Sequence, residues 1–360
     1  MTLGNIGGNN FLPVINNQIA ESSQAGHVSS QNGSGDVFVR SNGYDLSQER
    51  MFAKAGHLFQ SSQTGAINQS GEIEIDEVSM YPNRSGYDEN FLGVRLPMPT
   101  LGASIQDKVA YRTDKPGETE LTYTNFSVVM NKDRRQCFYT ICNIDGATHK
   151  NVKRSGSWTI DGRIPREYQL GNEAYSGNNI DRGHMVRRLD PCWGNDANLA
   201  NNDTFSYCNS ALQHGQLNQK EWLELENHVL NSATSKDQRM SVITGPIFSD
   251  DDPKFDNHGK IKPPTQIPMK FFKTVVWKDE QTGQLKSASF ILSQEDIING
   301  DHSLFKGKKS GGFTPGRFEV YQVPLSQVEE LTDLHFGNLG DISTQAVKLT
   351  AENDYKPVGL

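Results

Sequence analysis

The tetrapeptide Asp181-Arg182-Gly183-His184 holds the residue types needed to open a phosphodiester bond, and Asn209, Leu217-Asn218-Gln219 and Glu226 follow it. A histidine takes a proton from water near neutral pH, because its unperturbed pKa lies close to that range. Arg182 is suited to neutralise a phosphate oxygen, bidentately where geometry allows. The side-chain oxygen of Asn218 is a hard ligand of the kind divalent ions prefer, and it leaves other positions for water and substrate. Gly183 lets the backbone beside the histidine approach a ligand closely or turn sharply. Together these residues suit metal-assisted hydrolysis of a phosphodiester.

The elements that must carry them can be read in outline. Asn218-Gln219-Lys220-Glu221 is an Asn-x-x-Glu pattern, which also suits a helix amino-terminal cap. Trp222, Leu225 and Val229 then give that helix a buried face. One oxygen can hardly cap a helix and bind a metal, so the two readings compete. On a continuous helix Glu226 stands about 12 Å beyond Asn218, and it would reach the same ion through an intervening water. Asn209 is either an orienting group for the site or a turn residue ahead of the helix. The apolar runs Phe126 to Asn131 and Cys137 to Cys142, split by the charged turn Lys132 to Arg135, read as paired strands. Met240 to Thr244, Met269 to Lys278, Ser287 to Leu292 and Phe318 to Val323 read as further strands, with a turn at Gly245-Pro246 and a terminal helix over Ser326 to Leu331. Many strands and few helices give an α+β class.

These residues resemble the DNA/RNA non-specific endonuclease family, whose members carry a D-R-G-H motif followed by N-x8-N-Q-x-x-W-x-x-L-E. Here the second motif falls on Asn209, Asn218, Gln219, Trp222, Leu225 and Glu226. Likeness continues through Thr244 to Phe248, Ile267 to Lys273 and Phe318 to Val320, and spans roughly Phe126 to Phe336. The resemblance implies a mixed, largely antiparallel central sheet flanked by helices on both faces, with a ββα-metal finger holding the site. It implies His184 as general base, Arg182, Asn209 and Glu226 as its catalytic companions, and Asn218 as the metal ligand. Magnesium is the implied cofactor, with manganese as a substitute, and DNA and RNA are the substrates. The family also supplies an upstream phosphate-binding arginine, which points to Arg154, with Arg163 and Arg166 as competitors. After the histidine the family favours small or apolar residues, whereas this chain has Met185-Val186-Arg187-Arg188. Arg187 and Arg188 would add phosphate contacts beside the cut site, or else satisfy Asp190. The family gives His214 no role.

The composition bounds the rest. A formal charge of −8 over 360 residues argues against a generally adhesive nucleic-acid binder and leaves room for a local basic groove, since Lys132 to Arg188 is rich in cations. No apolar run approaches the length of a membrane span. Cys137, Cys142, Cys192 and Cys208 lack any C-x-x-C pair, so buried thiols are preferred to a zinc site. No Lys or Arg precedes Arg40, which gives neither a secretory signal nor an arginine-rich presequence and points to a cytoplasmic protein, or one exported by another route. Three regions are expected: an extension over 1–90, a nuclease domain over 91–345 and a tail over 346–360. The extension is polar, with a short amphipathic helix over Leu46 to Gln60, an acidic strand between Gly71 and Tyr81, and carboxylates at Glu72, Glu74, Asp76 and Glu77. It serves either as a docking module, including one for a homo-oligomer, or as a mask over the basic groove. An immune effector or a delivered toxin with its own inhibitor or immunity protein fits the chemistry. The rival from another class is a catalytically idle relative that binds nucleic acid or a protein partner.

Overall fold

The runs around the charged turn are built as expected. In the computed structural model, which describes residues 75–305, 319–337, 339–341 and 347–349, they form β2 (Phe126–Asn131) and β3 (Gln136–Asp145). Their turn is stabilised by the Asn131 side chain, whose Oδ1 accepts from the Asp133 and Arg134 amides. Around them lie β1 (Glu120–Tyr123), β6 (Arg239–Ile247), β7 (Lys270–Lys278), β8 (Leu285–Ser293), β9 (Glu319–Val323), β10 (Gly340–Asp341) and β11 (Val347–Leu349). These make one nine-stranded sheet in the order β11-β9-β8-β7-β6-β3-β2-β1, with β10 beside β8. Every pairing is antiparallel except that of β8 with β10. A separate two-stranded hairpin, β4 (Ile180–His184) with β5 (Ser210–His214), carries the histidine motif.

Both faces of the sheet are covered, so its central strands are apolar throughout and lose the alternation of a half-exposed sheet. Phe271 and Val275 of β7 face one core, and Phe272 and Val276 the other. Helix α4 (Glu221–Ser235) packs on the first side through Trp222, Leu225, Val229, Leu230 and Ala233, a helical stripe with Trp222 fully buried. Helix α6 (Leu325–Thr332) covers the other side through Leu325 and Val328. Among the described residues, four further helices, α1 (Asn172–Tyr175), α2 (Ala197–Asp203), α3 (Gly215–Asn218) and α5 (Glu295–Gly300), are one or two turns long. The class is α+β with a large antiparallel sheet, as the resemblance implied.

Several expectations are revised. Gly245 and Pro246 lie inside β6, paired with Phe272 and Phe271, and make no turn. Pro246 is tolerated because the pairing of β6 with β3 has already ended at Thr140 and Thr244, so no amide is needed on that side. Residues ahead of 91 also pack on the sheet: Tyr81 and Tyr87 are core residues, and Arg84 pairs with Asp203 at 2.9 Å. In the described part of the expected acidic strand, Ile75–Asp76 pairs in parallel with Ile160–Asp161. The expected tail contributes β11 to the sheet edge. The helix over Leu46 to Gln60, Glu72 and Glu74 lie outside the described residues.

Candidate active site

Strand β4 divides the motif by side-chain parity. Arg182 and His184 point to one face, Asp181 and Gly183 to the other. On the first face the Trp158 ring lies 4.8 Å from the His184 ring, with Phe205 at 5.4 Å. The Arg182 guanidinium sits 5.9 Å from Trp158 and 5.3 Å from Tyr175, and Nη2 donates to Asn172 Oδ1. His184 Nε2 is buried with no hydrogen-bond partner. Burial, then the positive charges of Arg154 and Arg188, hold the imidazole well below its ordinary pKa. It is therefore neutral at neutral pH, with a nitrogen able to accept a proton.

On the opposite face Gly183 has a different purpose from the one expected. It lies in extended backbone facing Gln213, and a Cβ there would stand 2.0 Å from Gln213 Oε1. The glycine makes room for a side chain, not for a ligand or a turn. Beside it Asp181 Oδ2 accepts from Asn218 Nδ2 at 3.0 Å and from Gln219 Nε2 at 2.8 Å. A carboxylate only accepts, so the NH₂ of Asn218 faces Asp181 and its oxygen faces elsewhere.

Capping no longer competes for that oxygen. Asn218 ends the single-turn helix α3, and the long helix begins afresh at Glu221 after Lys220 (φ −126°, ψ −99°), with no side-chain cap. The same break removes the continuous-helix distance from Asn218 to Glu226. Glu226 is buried on the inner face of α4, with Oε2 at 3.9 Å from Arg187 Nε.

Asn209 is fully buried and clamps the chain just past the histidine. Its Oδ1 accepts from the Val186 amide at 2.8 Å, and Nδ2 donates to the carbonyls of Val186 and Thr204. Every polar atom of its side chain is thus bound to backbone.

The arginines sort by burial. Arg154 is exposed, with its guanidinium 4.8 Å from the Phe205 ring that also touches His184. Arg163 is sealed between Tyr81 and Tyr123, 3.7 and 4.7 Å from their ring centres, and forks onto Asp161. Arg166 is bound to Glu173. Arg187 and Arg188, expected either to contact phosphate or to satisfy Asp190, are only 4% and 7% exposed, and the Arg187 charge acts on Asp190. Arg187 donates to Asn227, and Arg188 donates at 3.0 Å to Val152 O and Asn201 Oδ1. Both belong to the foundation of the site.

Other members of that foundation were not singled out from sequence. Lys273 is fully buried, with Nζ donating to Thr244 Oγ1 at 3.0 Å and lying 4.8 Å from the Trp222 ring. Burial lowers its pKa, against the pull of Glu226 and Asp190. Asp190 is pushed up to about 6 by burial, against Arg187 and Lys273. Trp158 and Phe205 walled in the histidine with no signal of spacing to announce them. The four cysteines are all buried free thiols.

Comparison with known proteins places this arrangement. The profile described as DNA/RNA non-specific endonuclease matches residues 106–341. An uncharacterized protein, y4fB, of Sinorhizobium fredii (strain NBRC 101917 / NGR234) is 35% identical over 272 residues, 72% of this chain and 40% of that protein. Human mitochondrial endonuclease G is 28% identical over 51% of this chain and 57% of its own length. Nuclease 1, mitochondrial, of Schizosaccharomyces pombe is 27% identical over 48% of this chain and 56% of its own. The chain thus spans about half the length of the curated relatives it matches. A solved structure, titled as the EndoG/EndoGI complex and the mechanism of EndoG inhibition, covers 61% of this chain and 85% of its own, at 21% identity and a TM-score of 0.46. The profile covers more than half of the 360 residues, and the chain belongs to the DNA/RNA non-specific endonuclease family.

Proposed function

We propose that the chain is a metal-dependent endonuclease that hydrolyses DNA and RNA without regard to base sequence. The observation that carries this reading is His184 Nε2, a buried nitrogen without a hydrogen-bond partner, on an imidazole whose pKa burial lowers and on the same strand face as Arg182. His184 takes the proton of a water that attacks phosphorus in line, and Arg182 neutralises charge on the phosphate oxygens. Arg154, exposed beside Phe205, holds a neighbouring phosphate. The bond broken leaves a 5′-phosphate, in keeping with the family resemblance.

The residues present fit a hard divalent ion, magnesium with manganese as a substitute. Asn218 would hold it through an amide oxygen aimed by Asp181, with Glu226 as a carboxylate partner for its waters. Among the described residues no group of three or more His, Cys, Asp or Glu forms a closed site, and magnesium keeps several waters and needs few protein ligands. The ion would supply positive charge for the pentacoordinate phosphorus and the departing oxygen. Affinity would come from the phosphate backbone, which carries no sequence information.

Incubating purified protein with supercoiled plasmid and with RNA, in magnesium and in chelator, tests the reading. Magnesium-dependent cutting of both is expected, and Asn218→Ala should lose the magnesium activation. Cutting in chelator would overturn the metal assignment, and intact RNA would confine the substrate to DNA. Binding without cutting in any condition would favour the idle relative.

A further inference from the structure

Helix α3 is a single turn, Gly215–Asn218, and it bears the proposed metal ligand at its last position. One turn fixes several dihedrals for very few hydrogen bonds, so it does not hold itself together. Its carboxyl end is tied to the histidine motif through Asp181. Its amino end is tied by a residue that the family motif leaves unused.

His214 occupies the N-cap position of α3, with extended backbone (φ −64°, ψ 136°), and its Nδ1 accepts from the Gln216 amide at 3.2 Å. Imidazole is an unusual cap, because it accepts at Nδ1 only when the proton sits on Nε2. Asp301 meets that condition: its Oδ2 lies 3.1 Å from Nε2 and accepts that hydrogen. Asp301 is itself locked. Asn179 Nδ2 donates to Oδ2 at 2.7 Å, and the Ser303 amide and hydroxyl donate to Oδ1 at 3.0 and 2.5 Å. Two more bonds close the assembly, from the Gly215 amide to Asn179 O and from the His214 amide to Gln294 Oε1. His214 and Asp301 are only 3% and 5% exposed.

We propose that Asp301 and His214 form a relay that positions Asn218: Asp301 selects the His214 tautomer, His214 caps the single turn, and the turn presents the Asn218 oxygen to the metal. The inference rests on the assignment of Asn218 as ligand. His214 is a positioning residue, distant in role from the proton transfer at His184. Groups that orient metal ligands affect affinity by about 10–100-fold when removed.

Four variants and three readouts test the relay. Manganese binding is followed by electron paramagnetic resonance on the full chain without nucleic acid, and magnesium demand by plasmid cleavage. His214→Ala should weaken manganese binding about 10–100-fold and raise the magnesium needed for half-maximal cleavage, with kcat recovering when magnesium saturates. His214→Asn, which caps through its own side chain, should restore most of the affinity. Asp301→Ala should fall between them, because the imidazole remains but its tautomer is released. Parent manganese affinity in His214→Ala, whatever its melting temperature, overturns the relay. So does a His214→Asn variant as weak as His214→Ala. If His214→Ala fails to fold, parent manganese affinity in Asp301→Ala overturns the relay, and so does a His214→Asn variant weaker than Asp301→Ala. Asn218→Ala separates the two levels: parent manganese binding there would remove the ligand assignment itself, while slowed hydrogen exchange at the Gln216 amide in the parent would still report the cap.

Discussion

The two faces of β4 are a few ångströms apart and built on opposite principles. Arg182 and His184 stand among the rings of Trp158, Phe205 and Tyr175, where the imidazole Nε2 has no hydrogen-bond partner. Asp181 and Gly183 stand among amides, where Asp181 is doubly bonded and Gly183 is pressed against Gln213. One face keeps a polar nitrogen unsatisfied in an apolar cage, which costs stability and leaves a nitrogen that can accept a proton. The other uses its polar atoms to hold neighbouring elements in place. A motif of four consecutive residues therefore holds two separate tasks, divided by the alternation of a strand.

The division can be broken most strongly at His184. His184→Ala should lower cleavage by about 10²–10⁴-fold while nucleic-acid binding and melting temperature stay near the parent's. Cleavage at the parent rate would remove the histidine from the chemistry. Arginines sharpen the contrast between acting and supporting groups. Arg163→Ala strands Asp161 in the core and should cost about 3–5 kcal/mol of stability, whereas Arg154→Ala should leave unfolding unchanged and raise KM in a salt-sensitive way; equal melting temperatures would show that the buried fork is not structural. On the amide face, Gly183→Ala should cost about 1–3 kcal/mol through overpacking. That cost should shrink when Gln213→Ala is added, because the two positions collide, and strict additivity in urea unfolding would refute the collision.

The smallest effect is in the pH profile. The His184 pKa is lowered, so the neutral base persists on acidification, and the acidic limb of kcat/KM should lie below pH 6.5. Removing the positive charge of Arg154 should raise that pKa and move the limb toward higher pH. A limb that stays put in Arg154→Ala would mean that burial and Arg188 set the histidine without Arg154.

Much of the site was legible because its residues sit close together in sequence and their types are uncommon in combination. The strands of the sheet were legible as apolar runs. What was lost follows from the same burial. With both faces of β7 covered, Lys273 interrupts an apolar run without revealing which core it enters. Asn218 looked like a cap because Asn-x-x-Glu suits one, and only the broken backbone at Lys220 separates its turn from the long helix. Arg187 and Arg188 looked like groove residues because charge is most often solvated, yet long-range partners at Asn227, Val152 and Asn201 draw them inward. Asp301 was invisible to motif reasoning, since only the fold brings it to His214.

The packing of Arg163 between Tyr81 and Tyr123 has a consequence for proteolytic trimming. A cut ahead of Ile75 spares both rings, the strand pairing with Ile160–Asp161 and the Arg84–Asp203 pair. A cut after Tyr81 removes one ring from the Arg163 guanidinium and takes away Asp76, the acceptor for the hydroxyl of Thr159, which neighbours Trp158. A processing enzyme that shortens this chain from its beginning thus has about a dozen residues, Ile75 to Tyr87, in which each further step cuts into the packed core itself.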